Sequence, residues 1–349
     1  MSARRSWARP LVPVYAMALR MKEALLRMGF FKRRQLQWPV ISVGSLSAGG
    51  AGKTPVVIAL AKLLAESRWS VDVLTRGYGR EGRSMERVQP EVDGASRRFG
   101  DEPTLIAQRV GVPVWVGAVR FRAGEGAEAE RSLGERLTNV RSVHLLDDGF
   151  QHRQLARAMD IVLVTAEDLD DMLLPAGNLR EGFSALRRAD VIVVRQDEVE
   201  DVGKRVWAQM REGAQMWAVR RALRFPAPLF VFGAGLRPMA FCAIARPEGF
   251  AAMLQDAGCG IVETIAFEDH HRFAITDMER VIAVAKGVNA SGFVTTEKDA
   301  VKLTQEMRAR LEEVGPLMIV ALDAVFDDKQ AVMSTIEMKL FGSSEVVAS

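Results

Sequence analysis

Residues that build disulfide frameworks and zinc sites are scarce in this sequence. Its 349 residues include two cysteines, Cys242 and Cys259, and only four histidines. Two cysteines cannot make a disulfide framework, and no Cys/His cluster has the spacing of a structural zinc site. No apolar run approaches the ~20 residues that a membrane-spanning helix needs. The composition therefore excludes a disulfide-stapled secreted domain and a zinc module, and it leaves a globular chain of about two domains.

Positive charge is concentrated at the N-terminus. Residues 1–34 carry nine Lys/Arg and one acid, Glu23, whereas the rest of the chain carries 38 Lys/Arg and 43 Asp/Glu. A nucleic-acid-binding protein more often spreads its basic surface over the fold. We therefore expect no nucleic-acid partner, and no obligate protein partner is evident.

The same N-terminal segment has the periodicity of a helix. Apolar residues recur at three- and four-residue steps at Leu11, Val14, Ala18, Met21, Leu25 and Met28. Such a stripe with basic residues beside it is typical of a helix that lies in a membrane interface, where apolar insertion and anionic headgroups hold it. A helix packed on the protein body is the alternative. We predict that residues 1–34 form an amphipathic membrane-interface helix.

The remaining chain alternates short apolar runs with helical segments. Strands are predicted at residues 39–43, 71–75, 114–116, 143–146, 161–164, 191–194, 239–244, 261–266, 292–296 and 317–321. Continuous Val/Ile/Leu runs favour a parallel sheet covered on both faces by helices. We predict an α/β domain at 35–225, a smaller α/β domain at 226–325 that contributes to a cleft, and a C-terminal helix or tail at 326–349.

A glycine-rich loop follows the first predicted strand. Residues 43–55 read V-G-S-L-S-A-G-G-A-G-K-T-P, which ends like a phosphate-binding loop although Ser47 stands where its first glycine is expected. The residues expected to cradle phosphate are Gly49, Gly50, Ala51 and Gly52. Lys53 would reach the β- and γ-phosphates, and the Thr54 hydroxyl would coordinate Mg²⁺. The sheet is therefore predicted to be of the P-loop type, mostly parallel, with ATP and Mg²⁺ as ligands.

Three acidic sites are candidates for the chemistry. Asp147 and Asp148 follow an apolar strand, where carboxylates beside a phosphate loop are the expected partners of Mg²⁺. Asp101, in G-D-E-P before a helix, is a candidate for the group that takes the acceptor's proton, and an ordinary helix cap is the alternative. A histidine of the 269–271 D-H-H cluster would raise the basicity of that aspartate if it faced it across a cleft, and a surface histidine is the alternative.

Short motifs make this combination recognisable. After the loop come R-G-Y-G (76–79), G-D-E-P (100–103), D-D-G-F-Q-H (147–152), L-P-A-G-N-L-R-E (174–181), A-R-P-E-G-F (245–250), D-H (269–270) and T-E-K-D-A-V-K (296–302). In this order and at these separations, the chain resembles the tetraacyldisaccharide 4′-kinase family of lipid A biosynthesis nearly end to end. It departs from the family at Ser45, where Asn is frequent, and at Ala243, where glycine is usual.

The resemblance implies an activity and its catalytic pair. The enzyme would transfer the γ-phosphate of ATP, with Mg²⁺, to the 4′-hydroxyl of a tetraacylated glucosamine disaccharide 1-phosphate. It would act on this glycolipid at the cytoplasmic face of the bacterial inner membrane. Residue by residue, the resemblance implies Asp101 as the base and His270 as its partner, with Lys53 serving the nucleotide.

The resemblance also implies roles for the other charged residues. Asp147 and Asp148 would contact metal or γ-phosphate, and Glu181 would support the metal site. Arg76 and Arg120 would bind the phosphate of the substrate. Two rival functions share such a sheet: a P-loop NTPase that acts as a switch or metal-delivery factor, and an ATP-dependent small-molecule ligase. ATP consumption that depends on a glycolipid acceptor would separate the kinase from both.

Overall fold

A computed structural model describes residues 5–30, 32–134, 140–226 and 237–342 of the chain. Its strands are β1 (Val40–Ser45), β2 (Ser70–Thr75), β3 (Glu86–Arg87), β4 (Val114–Val116), β5 (Ser142–Asp147), β6 (Met159–Leu163), β7 (Val191–Arg195), β8 (Gln215–Arg224), β9 (Met239–Cys242), β10 (Thr264–Ala266), β11 (Phe293–Thr296) and β12 (Leu317–Phe326). Its α-helices are α1 (Val12–Arg27), α2 (Lys53–Glu66), α3 (Ala95–Phe99), α4 (Asp101–Val110), α5 (Arg120–Gly134), α6 (Ala166–Leu169), α7 (Val199–Val206), α8 (Pro247–Asp256), α9 (Ile275–Gly287), α10 (Glu297–Ala300), α11 (Gln305–Glu312) and α12 (Lys329–Phe341).

All twelve strands belong to one sheet. Their order is β10-β9-β11-β12-β8-β7-β6-β1-β5-β2-β4-β3, and the neighbours are parallel except for β12 with β8 and β3 with β4. The predicted α/β class and the mostly parallel sheet are confirmed. β1 lies between β5 and β6, and β2 lies beyond β5, so the direction of winding reverses beside β1. Open α/β sheets bind ligands at such a switch point, at the carboxyl ends of the strands.

Packing on both faces of β1 fixes the start of the glycine-rich loop. All six residues of β1 are buried, and α2 buries an apolar face that includes Val57, Leu60 and Leu64 against the sheet. Each such side chain stabilises the fold by ~1.5–3 kcal/mol when fully buried. At Gly44 a Cβ atom would lie 2.5 Å from the Cβ of Phe150, so only glycine fits at this position.

The second half joins the first along a single strand. Residues 317–320 of β12 pair in parallel with β11, and residues 321–326 pair antiparallel with β8. The sequence predicted β12 only as far as residue 321 and did not predict β8, whose longest apolar run, M-W-A-V at 216–219, is short and is followed by two arginines. A separate core surrounds Phe241, Met278 and Phe293 in the second half, whereas α12 packs through Val332 and Ile336 on the core of the first. The domain boundary at 225/226 stays a prediction, since residues 227–236 lie outside the described residues.

The N-terminal segment is helical, as expected. A 3₁₀ turn at Ser6–Leu11 leads into α1, and α1, all of whose residues are described, buries none of its side chains fully. Its exposed apolar residues and those beside it are Trp7, Leu11, Val14, Met17, Met21, Met28 and Phe30. The opposite side holds to the body, because the Tyr15 hydroxyl donates to the Arg180 carbonyl over 3.0 Å and Glu23 pairs with Arg153. Within the described ranges, no helix is both long and apolar enough to cross a membrane.

Candidate active site

The loop between β1 and α2 has the backbone conformation of an anion cradle. Gly49, Gly50 and Gly52 adopt φ angles of +85°, +71° and +82°, which glycine reaches without steric cost. Gly52 directly precedes the first residue of α2. The first N–H groups of a helix have no partner within it, and the helix dipole adds positive potential there. The loop can therefore direct several backbone N–H groups at one phosphate.

Lys53, the first residue of α2, lies across the mouth of this loop. Its ammonium donates to the Ser45 hydroxyl over 3.0 Å and is 3.5 Å from the Asp148 carboxylate. Arg180 binds the same carboxylate with both guanidinium nitrogens, at 2.8 and 2.6 Å. Burial raises the pKa of Asp148, but Arg180 and Lys53 outweigh it and lower the pKa below its usual range. Two cations thus converge on one carboxylate beside the loop.

Asp147 has the opposite electrostatic environment. It ends β5, is 3% exposed and accepts a hydrogen bond of 2.9 Å from the Thr75 hydroxyl. Burial raises the pKa of Asp147 to about 7, and the negative charges of Glu102 and Asp148 contribute to that rise. A buried carboxylate among other acids is stabilised by a nearby cation. This residue set fits a divalent ion beside a phosphate.

Asp101 and His270 approach each other from the two halves of the chain. Asp101 is the first residue of α4, and its Oδ2 lies 3.7 Å from Nδ1 of His270. Tight packing of two loops sets this position, because a Cβ atom on Gly100 (φ +99°) would lie 3.2 Å from the Tyr78 carbonyl. The rings of Tyr78 and His270 are 5.9 Å apart. The R-G-Y-G and G-D-E-P motifs therefore act as one packed unit that faces the histidine.

Two groups of predicted residues are thus brought together. Lys53 and Asp148 are in direct contact, and Asp147 precedes Asp148 in the chain. Asp101 faces His270. Glu102 connects the two groups, because it follows Asp101 and its charge raises the pKa of Asp147.

The remaining predicted residues have separate environments. Thr54 lies in the first turn of α2. The Glu181 carboxylate accepts a 2.6 Å bond from Arg188. Their assigned roles stay predictions. Arg76 is exposed, whereas Arg120 is 6% exposed and donates to the Ala118 carbonyl over 2.9 Å.

Arg76 and Arg120 are electrostatically coupled. Burial and the charge of Arg76 lower the pKa of Arg120 to about 10, against the attraction of Asp148 and Asp147. Burial together with Arg120 also lowers the pKa of His152 to about 4. The two arginines therefore form a cationic region within electrostatic range of the two aspartates.

Sequence reasoning missed several residues that the structure brings to this region. Arg180 binds Asp148, and Ser45, noted only as a departure, accepts from Lys53. Arg246 comes from the second half, and its Nε lies 3.1 Å from the place that a Cβ on Gly50 would take. Lys298 lies 3.4 Å from both Glu102 and His270. These four residues occur within the motifs quoted above, but the sequence alone does not predict which side chains they contact.

Among the described residues, no group of three or more His, Cys, Asp or Glu side chains is arranged to hold a metal ion. Mg²⁺ usually takes only one or two carboxylates from the protein and fills its remaining positions with phosphate oxygens and water. The pair of adjacent aspartates is therefore a sufficient donor set for Mg²⁺ with a nucleotide.

Comparison with known proteins identifies the family. The family model described as tetraacyldisaccharide-1-P 4'-kinase matches residues 4–340. A tetraacyldisaccharide 4'-kinase of Koribacter versatilis (strain Ellin345) is 37% identical over 334 residues, which cover 94% of this chain and 97% of the relative. The enzyme of the same name from Syntrophus aciditrophicus (strain SB) is 38% identical over 311 residues, or 80% of each chain.

A solved structure agrees with these matches. The crystal structure of LpxK from Aquifex aeolicus in complex with ATP superimposes with a TM-score of 0.74 at 28% identity, and the match covers 97% of this chain and 99% of that one. Both the fold and the arrangement of motifs therefore extend over nearly the whole length. The chain belongs to the tetraacyldisaccharide-1-P 4'-kinase family, the ATP-dependent kinases of lipid A synthesis.

Proposed function

We propose that this kinase uses the loop at residues 49–54 and the Asp101–His270 pair to move the γ-phosphate of ATP to the 4′-hydroxyl of a tetraacylated glucosamine disaccharide 1-phosphate. One observation carries the proposal. The charges of Lys53, at the phosphate loop, and of Glu102, the residue after Asp101, both act on Asp147. A phosphate donor and a proton acceptor can therefore serve one reaction centre.

The phosphate loop holds ATP. Backbone N–H groups of Gly49, Gly50, Ala51 and Gly52 bind the β- and γ-phosphates together with the N-terminus of α2. Lys53 then exchanges its contacts with Ser45 and Asp148 for the phosphate oxygens. Arg180 keeps Asp148 in place during this exchange, because its two-pronged ion pair does not involve Lys53.

Mg²⁺ fits the two adjacent aspartates. The negative potential that raises the pKa of Asp147 supports a cation there, and Thr54 and Asp148 complete the protein's donors. Glu181 supports this site from the next residue after Arg180. When bound, the ion neutralises charge on the phosphates and orients them.

Asp101 accepts the proton of the acceptor's hydroxyl. The hydroxyl oxygen forms a bond to the γ-phosphorus, the bond from that phosphorus to the β–γ bridging oxygen breaks, and ADP leaves with the electron pair. His270 steadies the aspartate, and Asp101 then releases the proton to solvent. The 3.7 Å separation of Asp101 and His270 has room to tighten when substrate closes the cleft.

The acceptor reaches this centre from a membrane surface. The exposed apolar face of α1 and the basic residues around it support insertion at the cytoplasmic face of the bacterial inner membrane. A four-chain lipid is practically insoluble as a monomer, so its sugar is presented at the headgroup level. Arg76 and Arg120 offer positive charge for the acceptor's phosphate.

Mass spectrometry of the acceptor tests this function. We expect the disaccharide 1-phosphate to gain the mass of one phosphate group after incubation with ATP, Mg²⁺ and the wild-type protein. Asp101→Ala should give very little product, whereas Lys286→Met on the exposed side of α9 should match the wild type. ATP hydrolysis that proceeds equally without acceptor would refute the proposal and favour an NTPase switch.

A further inference from the structure

Lys298 lies between the two halves of the cleft. It occupies α10, directly after β11, and its neighbours in sequence are engaged elsewhere. Glu297 pairs with Arg109, and the buried Asp299 binds Lys302 at 2.8 Å. The side chain of Lys298 is 22% exposed. The flanking acids thus bind other cations, whereas Lys298 forms its ion pairs with Glu102 and Asp269.

Three groups surround the ammonium of Lys298 at similar distances. They are the Glu102 carboxylate at 3.4 Å, the Asp269 carboxylate at 3.5 Å and Nε2 of His270 at 3.4 Å. Burial lowers the pKa of Lys298, but the charges of Glu102 and Asp269 outweigh it and raise the pKa. Lys298 is therefore an ammonium that links α4 of the first half to the histidine loop of the second.

An ammonium beside a ring nitrogen determines the tautomer of the imidazole. Lysine carries three donors and no acceptor, so a nitrogen that faces it must offer its lone pair. Nε2 of His270 is then unprotonated, and the single ring proton is on Nδ1. Nδ1 is the atom that lies 3.7 Å from Asp101, so the N–H faces the aspartate.

One neighbour favours the other tautomer. The Asp269 carboxylate is 3.9 Å from Nε2 of His270 and would attract a proton to that atom. Lys298 is nearer to Nε2, and it also engages Asp269 through the other carboxylate oxygen. The lysine therefore both occupies the lone pair and neutralises the competing acid.

We propose that Lys298 is a positioning residue that holds His270 in the Nδ1–H tautomer, with its N–H directed at Asp101. This inference rests on the proposed function, in which Asp101 is the base. A neutral Nδ1–H donates to one oxygen of Asp101 and holds the carboxylate in its orientation. The other oxygen stays available for the acceptor's hydroxyl. Through Glu102, Lys298 also keeps the two halves at the separation that this contact needs.

Histidine NMR reads this tautomer directly. The full-length protein has four histidines, so ¹⁵N-histidine labelling gives a simple spectrum, and His270→Gln identifies the signals of His270 by their loss. We expect the wild type to carry the proton on Nδ1. Lys298→Met should move it wholly or partly to Nε2, because Asp269 then becomes the nearest charged partner. Lys298→Arg, whose side chain also only donates, should keep the wild-type tautomer.

Kinetics on the same proteins separate positioning from folding. We expect Lys298→Met to lower kcat by roughly 10–100-fold, as when an orienting partner of a functional histidine is lost, with the KM for ATP within about twofold. Lys298→Arg should recover part of kcat, and the exposed control Lys286→Met should change neither readout.

The inference fails in two ways. A wild-type His270 protonated on Nε2 would overturn it, and so would a Lys298→Met variant that keeps the wild-type tautomer, whatever its kcat. These readings need no catalysis, so they stay decisive even if the wild type fails to phosphorylate the lipid. A wild type that fails to phosphorylate the lipid would instead refute the proposed function.

Discussion

At the scale of single residues, the charged side chains of the ligand-free site are paired with one another. Lys53 rests on Ser45 and Asp148, and Arg180 binds the same carboxylate from the other side. Lys53, which we propose binds phosphate, is therefore already paired with a carboxylate before the nucleotide binds. Binding of ATP exchanges one charged contact of Lys53 for another, which limits the cost of desolvating the ammonium.

Removal of the Lys53 ammonium tests this exchange. Lys53→Met should weaken ATP binding about 10–100-fold, because a hydrogen bond to a charged group contributes ~1.5–3 kcal/mol. Isothermal titration with ATP and Mg²⁺ measures the change. Lys286→Met, an exposed lysine on α9, should bind like the wild type. An unchanged dissociation constant for Lys53→Met would rule out its contact with the nucleotide.

Asp147 makes stability depend on pH. Its pKa is raised to about 7 in the folded protein by burial and by nearby acids, so the folded state holds this proton more tightly than the unfolded chain. The stability that this provides is present below the unfolded pKa and is lost as pH rises through about 7. Asp147→Asn should therefore raise the ligand-free Tm at pH 8 by a few degrees, since 1 kcal/mol corresponds to roughly 2–4 °C in domains of 150–250 residues.

The comparison at low pH serves as the control for Asp147→Asn. At pH 5 the carboxyl is protonated in the folded protein and ionised only in the unfolded chain, so the Tm difference should be clearly smaller than at pH 8. Thermal scans at both pH values measure it. The variant should also lose most kinase activity. An equal Tm gain at both pH values would mean that packing, and not charge, constrains this side chain.

Sequence motifs predicted which residues carry charge but not how they pair. The loop, Asp101, Asp147 and Asp148 were proposed from residue type and position in the chain, and the family resemblance singled out His270. Arg180 and Lys298 were not found, because the side chains they bind come from distant parts of the chain. Pairing across 30 to almost 200 residues depends on tertiary packing, which no local pattern encodes.

At the scale of elements, α1 is the helix with an unpartnered apolar face. Met17 is 66% exposed and Met21 is 63% exposed, while Tyr15 and Glu23 hold the other side to the body. The sequence predicted this helix correctly, because periodicity of three and four residues is a local property. Which side faces the body could not be predicted, since the stripe suits a membrane and a protein surface equally.

Introducing charge on the apolar face of α1 tests whether that face binds a membrane. The double variant Met17→Glu/Met21→Glu should bind vesicles with anionic lipids at least about tenfold more weakly, because each buried methionine contributes ~1.5–3 kcal/mol. Vesicle co-sedimentation measures this loss, and ATP binding should stay unchanged. Met338→Glu, an equally drastic change at an exposed site on α12, is the matched control. Retained vesicle binding by the double variant would show that α1 is not the anchor.

At the scale of the whole molecule, ion pairs join the halves beside the shared strand. Arg109 of α4 is only 8% exposed and binds Glu297 of α10 and Asp323 of β12. The strand order and the antiparallel β8–β12 pair could not be read from the sequence, since pairing between strands depends on distant parts of the chain and β8 has only a short apolar run at 216–219. The parallel core was predictable, because fully buried strands read as unbroken Val/Ile/Leu runs.

Loss of the Arg109 guanidinium should destabilise this junction. Arg109→Met leaves Glu297 and Asp323 paired only with Arg224, whose side chain is 51% exposed. The free energy of unfolding should therefore fall by about 2–4 kcal/mol, near the range for breaking a buried pair. Urea denaturation measures the change. Arg122→Met removes an exposed i,i+3 pair on α5 and should cost less than about 1 kcal/mol. Equal losses in both variants would contradict a special role for the junction.

The separation of ATP binding from proton removal is tested most directly by one variant, Asp101→Asn, in a single-turnover assay on acceptor lipid with bound ATP. We predict wild-type affinity for ATP and phosphate transfer slowed by about 10²–10⁴-fold, the usual contribution of a general base. Transfer at the wild-type rate would contradict the assignment of Asp101 as the base and, with it, the reaction centre described above.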